Sequence, residues 1–184
     1  EYDIHSLVKA FFPREEVRVT AEAKVPDEEP LFLLSVTYEP GAGEPDAVSI
    51  AIDERKLSMS PVNFQDRSQT RNRLKQALYR VLSDYTHTTL PWGTLTGIRP
   101  VKIPMTFLEE GRDRQWVKSY MKETYFASDE KIDLSIEIAG REMALLEQVD
   151  YQQGYSLYIG IPFCPSTCLY CSFTSYPLKR YAAQ

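Results

Sequence analysis

Cysteine, histidine and tryptophan are scarce in this chain, with three, two and two copies respectively among 184 residues. All three cysteines lie between Cys164 and Cys171, close to the C-terminal end of the sequence. An odd, tightly clustered set makes a poor disulfide framework and a good metal site. No apolar run approaches the roughly 18 residues that a membrane-spanning helix requires. The first residues, Glu1-Tyr-Asp-Ile-His, show neither a basic region nor an apolar stretch of the secretory kind. Basic residues are outnumbered 21 to 26, a formal charge of −5, which weighs against a nucleic-acid partner, since phosphate-binding surfaces are basic. The expectation is a soluble protein of a reducing compartment, the cytoplasm, with no membrane span and no nucleic acid. Hydrophobic residues at 43% and charged residues at 26% are ordinary globular values, enough for one good core or one domain and the start of another.

The first half reads as a small α/β unit. Ile4, Leu7, Val8, Phe11 and Phe12 recur at helical spacing before Pro13 stops the helix. Val17 to Lys24 alternates apolar and polar residues as a half-buried strand does, and Leu31 to Tyr38 and Ala47 to Ile52 read as two further strands. The Gly/Pro-rich stretch Glu39-Pro-Gly-Ala-Gly-Glu-Pro45 between those two predicts a hairpin with a long loop. Leu74, Leu78, Val81, Leu82 and Tyr85 then form one helical stripe, with Asp66 or Ser68 as its N-cap. After Leu90-Pro-Trp-Gly-Thr-Leu-Thr-Gly-Ile-Arg-Pro100, three helices are predicted: about 100–110 ended by Gly111, 113–125 capped by Asp113, and 128–148 capped by Ser128. Asp129 and Glu130 suit the positive N-terminal end of the last. At Gly154 the pattern changes to a short apolar β-type run, Ser156-Leu-Tyr-Ile-Gly-Ile161, which Pro162 and Phe163 connect to the cysteines.

Cys164-Pro-Ser-Thr-Cys168-Leu-Tyr-Cys171 has the spacing C-x3-C-x2-C. Three such thiolates can hold three corners of a cubane cluster and leave one iron open to a non-protein ligand. Ferredoxin-type clusters use four cysteines, so a set of three points to reactivity at the free iron. Soft thiolates favour iron–sulfur, zinc or Cu(I) over hard cations. A structural zinc requires a fourth ligand, and His5 and His87 are distant in sequence. A Cys168–Cys171 redox pair leaves Cys164 without a role; three unligated cysteines are the remaining alternative.

The C-x3-C-x-Φ-C pattern, with Tyr170 at Φ and an apolar strand before it, resembles the radical S-adenosylmethionine (SAM) superfamily. Leu157-Tyr-Ile-Gly-Ile-Pro-Phe-Cys164 and Leu95-Thr-Gly-Ile-Arg-Pro100 are similar to the oxygen-independent coproporphyrinogen III oxidase/dehydrogenase family. Within that family they resemble the HemZ-type branch, in which Gly160 stands where the best-studied oxidases have His, and Ser172-Phe-Thr where they have Gly-Cys-Asn.

That resemblance implies an α/β architecture. A small α+β accessory domain would occupy residues 1–153 (an α+β unit over about 1–90 and a helical segment over about 98–148). Residues 154–184 would be the first strand and cluster loop of a partial radical SAM (β/α) barrel. It implies a [4Fe-4S] cluster on Cys164, Cys168 and Cys171 and SAM contacts from Tyr158, Tyr170, Ser172 and Phe173. The implied reaction is oxidative decarboxylation of coproporphyrinogen III to protoporphyrinogen IX through a 5′-deoxyadenosyl radical, with a flavodoxin- or ferredoxin-like electron donor. Remaining SAM and catalytic residues would lie beyond Gln184, so the chain alone is expected to be inactive. The competing readings are a haem-handling chaperone that keeps the cluster, and a binding module with a structural metal site. Arg99 and Lys102, at a helix start, would either hold an anion or, in the case of Arg99, pair with a nearby carboxylate.

Overall fold

The structure is a computed structural model that describes residues 1–21, 29–41, 45–53, 55–97, 99–149, 153–155, 157–169 and 171–181, and for Lys56, Arg180 and Tyr181 the backbone alone. It separates into two units, Glu1–Ala144 and Leu145–Gln184. The boundary expected at 153/154 falls inside the second.

The first unit opens with helix α1 (Tyr2–Phe11). Its Leu7 and Val8 are buried, and the Phe12 N–H closes it by donating to Val8 O at 2.9 Å. Pro13 cannot continue the ladder, so the helix stops there. Three strands follow, β1 (Leu34–Glu39), β2 (Ala47–Ile52) and β3 (Arg55–Pro61), antiparallel in the order β1-β2-β3. Asp53, with φ 47°, makes the tight β2–β3 connection; it donates its N–H to Leu33 O and accepts from Leu33 N–H at 2.8 Å through its carboxylate. Asp46 ties down the other end of the sheet, its carboxylate accepting from the N–H groups of Gly41 and Phe64.

Helix α2 (Arg67–Thr86) starts at Asp66, whose carboxylate accepts from Gln69 N–H at 2.9 Å, as the sequence predicts. Leu78, Val81 and Leu82 pack with Leu7, Val8, Ile50 and Ile52 into one core, and Leu74 joins Val48 and Val62 in a second. Helix α3 (Lys102–Glu109), helix α4 (Arg114–Tyr125) and helix α5 (Asp129–Leu146) correspond to the three predicted helices. Asp113 caps α4 through Trp116 N–H at 2.7 Å, and Ser128 Oγ accepts from Lys131 N–H at 3.4 Å. Val117, Met121, Ile132 and Ile136 make the helical core, covered by Leu95, Ile103, Phe107 and Tyr125.

Three expectations change. Residues 17–21 of the predicted Val17–Lys24 strand form no strand, and the rest of it lies outside the described residues; alternation alone supplies no neighbour to pair with. A strand that is not among the predicted ones, β3, takes the free edge of β2, with a register shift between Ile50 and Ala51. Residues 157–161 of the Ser156–Ile161 run join no sheet; Ser156 itself is outside the described residues. The second unit instead holds a two-residue parallel ladder, β4 (Phe163–Cys164) with β5 (Tyr176–Pro177), followed by the short helix α6 (Leu178–Tyr181). The mixed α/β content agrees with the expected class.

Gly93 has φ 56°, and a Cβ placed there would lie 1.9 Å from Tyr125 O. Gly93→Ala should cost about 2–4 kcal/mol, read as a lower urea midpoint; an unchanged midpoint contradicts the packing described here. Asp113→Ala should cost about 1 kcal/mol by the loss of its cap, with the same readout.

Candidate metal centre

The cysteine loop is held by short-range bonds. Tyr176 N–H donates to Pro162 O at 2.7 Å and Cys171 N–H to Cys168 O at 3.0 Å. The hydroxyls of Thr167 and Ser175 lie 3.3 Å apart, and the Phe163 and Tyr176 rings meet at 5.9 Å between centroids. The loop is thus closed at its base by β4–β5 and crossed once within, which brings all three cysteines onto one short excursion of the chain.

All three thiols are free; Cys164 and Cys171 are half-buried and Cys168 is exposed. Cys171 Sγ lies 3.8 Å from Phe173 O, a thiol-to-carbonyl contact. Among the described residues no three His, Cys, Asp or Glu side chains surround a common point at which a metal ion would sit. The donor set nevertheless suits an iron–sulfur cluster: three soft thiols, none consumed in a disulfide, on a loop reached by solvent. Ligation requires the thiols to be drawn together.

Of the SAM contacts that the family resemblance implies, Tyr158, Ser172 and Phe173 are all exposed, Tyr158 at 82% and Phe173 at 75%. Tyr170 lies outside the described residues. The neighbouring apolar side chains Leu157, Ile159, Ile161 and Leu169 are exposed as well, so the run ahead of the cysteines has none of the burial that a barrel strand would have.

The Leu95–Pro100 stretch belongs to the first unit. Thr94 N–H donates to Tyr125 O at 2.7 Å, and Lys75 Nζ donates to Thr96 Oγ1 at 3.3 Å. Burial pushes the Lys75 ammonium below the ordinary lysine range, and Asp3 Oδ1, 4.0 Å away, pulls it back. Arg99 is exposed and makes no ion pair among the described residues, so the expected carboxylate partner is not there. Ile98 is outside the described residues.

No helix among the described residues is long and apolar enough to cross a membrane. No family model matches the chain, and no solved structure matches it. Over 117 residues it is 36% identical to the oxygen-independent coproporphyrinogen-III oxidase-like protein HemZ of Bacillus subtilis (strain 168). The match takes in 63% of this chain and 23% of that protein, so the chain spans about a quarter of its relative's length. The chain is a relative of a HemZ-type protein, in line with the resemblance read from its motifs.

Proposed function

We propose that this chain carries the accessory region and cluster loop of a radical SAM enzyme of porphyrin biosynthesis, one that oxidatively decarboxylates coproporphyrinogen III. The observation that carries the reading is the set of three free thiols confined to Cys164–Cys171, in a chain similar to a coproporphyrinogen-III oxidase-like protein. In this reading Cys164, Cys168 and Cys171 ligate a [4Fe-4S] cluster, and Tyr158, Tyr170, Ser172 and Phe173 contact SAM. When bound, the cluster and SAM supply the one-electron chemistry, leaving the protein to position and enclose. The chain's own share is local. The β4–β5 ladder joins both ends of the loop, a backbone bond links Cys168 and Cys171, and Cys168 is the most exposed of the three cysteines that would hold the cluster. In this reading the catalytic portion begins near Gly154.

Anaerobic reconstitution with iron and sulfide should give a brown chain with about four irons, and Cys168→Ser should abolish it, because an alkoxide replaces a soft thiolate poorly. Stoichiometric zinc with no iron uptake would sink the reading in favour of a structural metal site. In the iron-free chain Cys168 should alkylate faster than Cys164 or Cys171, and loading should protect all three, as mapped by peptide mass spectrometry. The chain alone should assemble the cluster and release no methionine from SAM, since among the described residues the loop is exposed, not enclosed. A HemZ-length protein containing it should convert coproporphyrinogen III; SAM cleavage without that conversion would point to a different substrate or to haem handling.

A further inference from the structure

Helix α2 carries an unusual charge pattern for an acidic chain. Arg67, Arg71, Arg73, Lys75 and Arg80 face a single acid, Asp84, and no acid lies in the helix's first turn. Cations near a helix N-terminus oppose the macrodipole. Two of the five are relieved: Asp3 takes Arg71 in a bidentate pair at 2.6 and 2.8 Å and lies 4.0 Å from Lys75. Arg73 makes no ion pair among the described residues, and Arg80 has only an aromatic partner, its guanidinium 4.9 Å from the Phe126 ring centroid.

Arg73 and Arg80 line an open groove of about 510 Å3 between α2 and α4. Gln69, Arg73, Gln76 and Arg80 lie on one stripe of the helix, so the two guanidinium-bearing residues are spaced about 10 Å apart along its axis. Gln76 ties the walls together, donating to the carbonyl oxygens of Glu123 and Thr124 at 3.2 and 2.9 Å. On the α4 side Tyr120 enters the groove. It is held by a ladder of rings: Trp116 stacks on it at 5.3 Å and 12°, Phe107 makes a T-shaped contact with it at 4.7 Å and 67°, and Arg112 lies 4.8 Å from the Trp116 centroid. Two acids also reach the groove. Asp66 is engaged in the α2 cap, whereas the Glu123 carboxylate is exposed on the α4 wall.

Two guanidiniums two turns apart, beside a fixed aromatic ring, suit oxyanion groups set apart on a broad organic body. Glu123 and the net charge of −5 oppose any anion in the groove, so affinity has to draw on the aromatic ring as well, which a bare phosphate chain cannot use. We propose that this groove is a second binding site, for a carboxylate-bearing tetrapyrrole whose carboxylates are taken by Arg73 and Arg80 and whose ring lies along Tyr120. The ligand class rests on the porphyrinogen reading above; the groove itself does not.

The probe is coproporphyrin III, titrated into the 184-residue chain at low salt and followed by its Soret band and by tryptophan quenching. Arg73→Ala with Arg80→Ala should weaken binding roughly tenfold or more with an unchanged circular dichroism spectrum, and Glu123→Gln should tighten it. Identical titrations of the wild-type chain and the double variant overturn the proposal, as does displacement of the porphyrin by equimolar tripolyphosphate, which would mark a generic anion site. The variant Cys164→Ser, Cys168→Ser, Cys171→Ser should bind the porphyrin as the wild-type chain does, and lost binding there also overturns it. A chain that loads iron but shows no groove-dependent porphyrin binding defeats this inference alone. One that binds porphyrin through the groove but never assembles a cluster defeats the radical SAM reading alone.

Discussion

Helix α2 is the element on which the first unit is built, because it must bury apolar side chains on more than one side. Leu78, Val81 and Leu82 meet α1 and β2, Leu74 meets Val48 and Val62, and Tyr79 contacts Phe11 and Phe126. Burial of a Leu or Val side chain is worth about 1.5–3 kcal/mol, so this one helix supplies much of the driving force that holds sheet and helices together. What it leaves over is a polar strip beside α4, and that strip has to satisfy its own charges.

The charge arrangement follows from that constraint. Lys75 is swept into the interior by the same helical turn that buries Leu74 and Leu78, and an ammonium there needs oxygen partners. Thr96 Oγ1 and Asp3 supply them, linking the Leu95–Pro100 stretch and the start of α1 to one side chain. Asp3 is shared with Arg71, so one carboxylate offsets two cations that would otherwise repel. Tyr125 shows the same economy of polar groups: burial pushes its phenol up to about 12, with Tyr120 beside it adding to the shift. Arg73 and Arg80 face the groove with no carboxylate partner of this kind among the described residues.

Local rules made most helices legible from sequence. Asp66, Asp113 and Ser128 announce their helices because an N-cap acts within three residues, and Pro13 and Gly111 end theirs for equally local reasons. The strands were read less well. Lys56-Leu-Ser-Met-Ser60 does alternate, but its apolar Leu57 and Met59 are the exposed residues and its serines the half-buried ones, so no apolar face marks it for the core, and what makes it a strand is the free edge of β2. The converse holds at Val17 and at Leu157, where a good pattern meets no partner among the described residues. The cysteines were visible because the chemistry of their donor set is written in spacing alone. The groove was not: nothing local on α2 marks Arg73 and Arg80 as a pair, and the wall that turns them into a site comes from Tyr120 and Glu123, forty or more residues away in the chain.

The cysteine loop shows how little of such a site the backbone needs to supply. A two-residue ladder, one turn bond and one pair of hydroxyls fix its ends and middle, yet none of these brings three sulfurs to a common point. Thiolates repel when drawn together, so an array held closed in advance would cost free energy that a pre-folded loop this small has no core to offset. A cluster held by these three cysteines would offset that cost, coupling the ordering of the thiols to ligation.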